Sequence, residues 1–172
     1  FKKIIADIPE EIYSLQLAVM GTKKYTLENA IWKGDELIKV KFRKDGKSTI
    51  RNANKTDIST YKKAEKLLRK YEKEFFYPKD EIMKYVRRNK KNTIDELFSK
   101  RNLLIASWFL NEVNQITDKK IKNSLRFIFT SGLPNFSKMI PGDIDRVVGK
   151  SGWQISKFWC PEVHAEKNVL IS

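Results

Sequence analysis

The sequence is short of the residues from which most metal and redox sites are built: across 172 residues it has one cysteine, Cys160, and one histidine, His164. A lone thiol leaves no intramolecular disulfide, and one Cys with one His cannot complete a four-ligand zinc site. No apolar run approaches a membrane span, and the N-terminus lacks the apolar stretch of a signal peptide. The expectation is therefore a cytoplasmic chain with no membrane partner. Walker-type phosphate loops, G-x-S-x-G and H-E-x-x-H are absent, as are internal repeats and low-complexity segments. No catalytic, cofactor-binding or metal-ligating residue is assigned.

What is present is enough to fold. Apolar residues make up 41%, including 10 Phe, 6 Tyr and 4 Trp, far from the aromatic-poor signature of disorder. One domain over 1–172 is expected, with room for two lobes, 1–78 and 79–172, meeting near Pro78. Lys and Arg number 35 against 21 Asp and Glu, giving a formal charge of +14 and a sequence pI of about 9.8. Such an excess repels itself in a compact state, so a polyanion such as DNA is the natural partner. The plainer explanation is a lysine-rich proteome from an AT-rich genome.

Periodicity predicts an α+β, mainly helical fold. Ile8, Ile12, Leu15 and Val19 fall at helical spacing over 8–20. Leu37 to Phe42, Asp45-Gly46 and Ser48 to Ile50 read as a small β-hairpin over 37–50. Ile58, Tyr61, Ala64, Leu68, Tyr71 and Phe75 form the inner face of an amphipathic helix over 56–75 with a basic outer side. A capping box at Thr93 and Glu96 opens an antiparallel helix hairpin over 94–131. Its inward positions include Leu97, Leu104, Trp108 and Val113, then Ile121, Leu125 and Ile128. The second helix starts at Thr117-Asp118 and stops near Ser131-Gly132-Leu133-Pro134. Trp153 to Trp159 reads as a short strand.

Candidate nucleic-acid contacts are concentrated in Lys84, Arg87, Arg88, Asn89, Lys90 and Lys91, with Lys100 and Arg101 beside them. Lys and Arg neutralise phosphates, while Arg and Asn can also read base edges. The competing reading is a solvated loop. Trp153, Phe158 and Trp159 suit base stacking but suit core packing better. Cys160, Glu162 and His164 are close in sequence, whereas a nucleophile and its base usually come from distant segments. Asp143 and Asp145 resemble half of a metal-dependent nuclease site, with no matching Glu-x-Lys pattern after them.

Four segments then occur in a suggestive order: Phe76-Tyr77-Pro78-Lys79-Asp80; Asp95-Glu96-Leu97-Phe98-Ser99-Lys100-Arg101-Asn102-Leu103-Leu104; Phe129-Thr130-Ser131; and Phe158-Trp159-Cys160-Pro161 with Glu166-Lys167-Asn168-Val169. This order, over residues 76–169, resembles a family of bacterial and archaeal DNA methyltransferases of the amino class, which modify adenine N6 or cytosine N4. The resemblance implies an internal target-recognition position, between a cofactor-binding half and the Asp-Pro-Pro-Tyr catalytic motif. DNA and the catalytic domain of the same chain are the implied partners, and the parent enzyme would use S-adenosylmethionine. Neither half of that cofactor site has a counterpart here. Relatives often carry a cysteine-rich zinc ribbon where this chain has Leu37 to Ile50, which contains no cysteine. The alternatives are a structural insert without base contacts and a small metal-dependent nuclease.

Overall fold

A computed structural model describes residues 2–20, 22–84, 92–149 and 158–171. The described residues are 44% helical and 30% strand, arranged around a curled antiparallel half-barrel, so the expectation of a mainly helical fold is corrected. The helices are α1 (Lys2–Ala6), α2 (Glu10–Tyr13), α3 (Lys55–Lys70), α4 (Lys100–Gln115) and α5 (Lys119–Phe136). The strands are β1 (Leu17–Met20), β2 (Lys23–Lys33), β3 (Glu36–Lys44), β4 (Lys47–Asn52), β5 (Ile140–Asp143), β6 (Val148–Gly149) and β7 (Val163–Lys167).

The main path of the sheet runs β4-β3-β2-β7-β5-β6, with β1 also pairing with β2. β2 is its spine. One edge pairs with β3, while the other pairs first with β1, through Leu17 to Met20, and then with β7, through Val163 to Lys167. Register shifts between Leu27 and Asn29 and between Ile31 and Trp32 interrupt the two-residue alternation of an ordinary strand. Ala30 and Leu27 accordingly share one apolar cluster with Val40 and Phe42, whereas Ile31 joins Ile140 and Ala165 in another.

The hairpin predicted over 37–50 is present, slightly longer, as β3 and β4. Its turn places Asp45 at φ 49° and Gly46 at φ 77°, left-handed values that Asp tolerates and Gly adopts without a Cβ penalty. The helix expected over 8–20 is cut short. After α2 and a 3₁₀ turn at Ser14–Gln16, the chain extends into β1, because pairing with β2 outweighs a helical spacing of four residues.

The amphipathic helix ends at Lys70 rather than 75, and it starts with a capping box between Asn54 and Asp57. Ala64 and Leu68 face inward as expected of that stripe, and Leu67 is buried beside them, but Ile58 is 45% exposed. Thr93 and Glu96 do form a capping box, on a 3₁₀ turn at Ile94–Leu97, while α4 is capped by the Ser99 side chain. Asp118 caps α5, which runs through Pro134 to Phe136 rather than stopping near 131. Leu125 is buried as expected, whereas Ile121 and Ile128 are exposed. The strand expected at 153–159 lies largely outside the described residues.

The helical core joins Ile12, Leu68, Leu104, Trp108, Val113 and Phe129, so residues on both sides of Pro78 share one apolar cluster. Among the described residues no helix is long and apolar enough to cross a membrane. Leu104 is fully buried in this cluster. Leu104→Ala is expected to destabilise the chain by about 2–5 kcal/mol in urea unfolding; a loss below about 1 kcal/mol would show that the helices are not held by this core.

Candidate nucleic-acid interface

Two of the segments that carry the family resemblance meet at the start of α4. Arg101 and Glu166 are both 0% exposed, and Arg101 Nη2 donates to Glu166 Oε1 at 2.9 Å. Ser99 Oγ donates to the same oxygen, and Trp32 Nε1 donates to Glu166 Oε2 at 2.9 Å. Alongside, Asn102 Nδ2 donates to the carbonyls of Lys167 at 2.8 Å and Phe136 at 3.0 Å. Asn168 Nδ2 donates to the Leu27 carbonyl at 2.6 Å. The polar residues of these segments thus tie α4, α5, β7 and β2 together.

Among the described residues, Arg101 Nε and Nη1 have no hydrogen-bond acceptor. The guanidinium instead lies 4.8 Å from the centre of the Tyr61 ring, a contact that favours the cation. Burial opposes the charge on Arg101, but Glu166, together with Tyr61 and Asp57, holds the guanidinium pKa above its ordinary value. Tyr61 is itself T-shaped against Trp32, with centroids 4.6 Å apart. Its hydroxyl is buried without a partner in hydrogen-bond geometry among the described residues, and burial pushes its pKa well up. Behind Trp32, His164 stacks at 6.4 Å, and burial lowers its pKa.

Above this network is a cavity of about 700 Å³ between the β2–β3 turn and α3. Trp32, Leu37, Ile58 and Tyr61 supply apolar wall, and Lys33, Lys62, Lys100 and Lys138 contribute cations. Asp35, Glu36 and Glu65 also border it, with Glu65 paired to Arg69 at 2.7 Å. Lys55, Lys62 and Lys66 are exposed on α3 and recur at helical spacing along one stripe that meets the cavity at Lys62. None of the three forms an ion pair among the described residues.

The expected contact residues fare differently. Lys84 is exposed. Arg87, Arg88, Asn89, Lys90 and Lys91 lie outside the described residues. Lys100 is half-buried at the cavity and pairs with Asp95 at 3.2 Å. Arg101 is a correction: adjacent cations read alike in sequence, but the helix turns this one into the core, where Glu166 occupies it. Sequence periodicity did identify the basic outer side of α3, although not the cavity beside it.

No family model, curated protein or solved structure matches this chain.

The remaining candidates have local roles. Asp143 Oδ1 accepts from the backbone N–H groups of Asp145 and Arg146, both at 3.0 Å, closing a turn. No group of three His, Cys, Asp or Glu side chains suited to a metal occurs among the described residues. His164 Nδ1 is 3.2 Å from the Pro161 carbonyl, and Phe158 and Cys160 pack against the small cluster of Ile82, Leu97 and Met139.

Glu166→Gln strands the Arg101 charge and is expected to cost about 3–5 kcal/mol of unfolding free energy, much of which Arg101→Met restores in the double variant. Equal stability of Glu166→Gln and the parent chain would show that the guanidinium does not depend on this carboxylate.

Proposed function

We propose that this chain is the DNA-binding target-recognition region of a larger, site-specific DNA methyltransferase of restriction-modification type, and is non-catalytic by itself. The observation that carries the reading is the stripe of exposed cations, Lys55, Lys62 and Lys66, on α3. These lysines form no ion pair among the described residues, and one of them, Lys62, lines a cavity with further lysines at its edge. Such a row can neutralise successive phosphates and release their counterions, while base preference comes from groups that reach beyond the backbone.

The family resemblance supplies the rest of the reading. Ser99 to Asn102 and Glu166 to Val169 belong to separate segments of it, and their side chains converge on one network. In this reading S-adenosylmethionine and the catalytic residues belong to other parts of a cytoplasmic parent protein. The catalytic domain is the intramolecular partner, and DNA is the substrate-bearing one.

A structural insert is the second reading, favoured by a separate observation. Phe76 and Phe127 are 77% and 73% exposed, and an apolar hollow of about 400 Å³ lies among Phe76, Phe98, Leu110 and Phe129. Exposed apolar surface of this kind suits packing against another domain. The two readings rest on different surfaces, the lysine stripe on α3 and the exposed Phe127 on α5.

Fluorescence anisotropy with a random-sequence DNA duplex at two salt concentrations, with heparin as competitor, tests the DNA-binding reading. Binding is expected to weaken with salt and to survive modest heparin. Replacing Lys55, Lys62 and Lys66 together by Glu should reduce the log–log salt slope by about 0.9 for each phosphate that is no longer neutralised. Unchanged affinity in that variant removes α3 from the interface, and absence of binding by the parent chain at low salt leaves the structural insert.

A further inference from the structure

We propose that the cavity between the β2–β3 turn and α3 receives a single unstacked nucleobase, whose phosphate is held by the lysines at the rim. This inference rests on the DNA-binding reading. A volume of about 700 Å³ is within the usual range for small-molecule pockets, and it is far too confined to admit a duplex. The lysine stripe outside and the cavity share Lys62, so a strand lying along α3 passes the opening.

The walls suit a base. Trp32 and Tyr61 both line the cavity, and aromatic walls of this kind suit a base. Both rings are fixed from behind, Trp32 through its indole N–H to Glu166 and Tyr61 through the Arg101 guanidinium. Rings held in place before binding lose little rotamer freedom when a ligand arrives.

Ile58 gives a second indication. It is 45% exposed at the start of the apolar stripe of α3, and it lines the cavity opposite the sheet. The turn of α3 that carries it reaches past the core, so a base entering the cavity gains an apolar wall from this side chain. Lys33 and Lys62 complement the phosphate, and Glu36 at the start of β3 supplies an acceptor that an exocyclic base amine can use. An intact duplex bound only through its phosphates would use the stripe and leave the cavity empty.

The test compares a perfect duplex with the same duplex carrying a one-nucleotide adenine bulge, by anisotropy with the full 172-residue chain at one salt concentration. The bulged duplex is expected to bind at least about fivefold tighter, as one base-aromatic stack implies. Ile58→Trp fills the opening from an exposed position without changing charge. It should abolish that preference while leaving the perfect-duplex affinity and salt slope as they were, with thermal unfolding confirming the fold. Equal affinity of the parent chain for both duplexes overturns the cavity proposal and leaves the DNA-binding reading intact. Binding to neither duplex overturns both. A bulge preference that persists in folded Ile58→Trp puts the base elsewhere and also overturns the proposal.

Discussion

A guanidinium and a carboxylate shut away from water must be brought together, and in this chain Arg101 and Glu166 are 65 residues apart in sequence. Desolvating either one alone costs several kcal/mol. The chain path therefore has to deliver the first turn of α4 against β7 wherever the rest of the molecule settles. Trp32 comes to the pair from β2 and Tyr61 from α3. Four elements are located relative to one another by one ion pair and the rings packed around it, and the cavity is the space left above them.

Much of the local structure could be read from the sequence where a single period held. Asp45-Gly46 between β-favouring runs indicated the hairpin, because the turn chemistry and strand pattern agree. Leu104, Ile105, Trp108, Phe109 and Val113 marked the buried side of α4. The sheet itself was not legible. In β2 the register shifts break the alternation, and buried Glu28 accepts hydrogen bonds from Arg43 at 2.9 Å and Ser48 at 2.7 Å. In β7, His164, Ala165 and Glu166 are buried in succession, so neither an alternating nor an apolar signature survives. A strand that carries charged residues into the interior resembles a polar loop until its partners are known.

The site was legible in part for a related reason. Net charge is a property of composition, but an interface depends on which cations lack acidic neighbours and share a face. Lys100 and Arg101 are adjacent in sequence, yet one borders the cavity and the other is sealed beneath it. Trp32 and Tyr61 are separated by β3, β4 and half of α3, and only the curl of the sheet brings their rings into contact. Ile58 looked like an inward residue because it extends the apolar stripe of α3 by one turn. In the fold that turn reaches past the core to the cavity.

The placement of β7 bears on how the chain reaches this state. β7 pairs with β2 on one side and β5 on the other, so a segment late in the sequence fills the middle of the sheet. Before it docks, β2 is covered by β1 only as far as Thr26 on that edge, and the backbone from Asn29 to Lys33 presents unpaired N–H and C=O groups. Closing the gap requires a loop of more than a hundred residues, an entropic barrier that delays docking. Until then the same row of groups is open to a strand from another molecule. The arrangement that buries Glu166 thus also creates, in every partly folded chain, a temporary edge at the centre of the sheet.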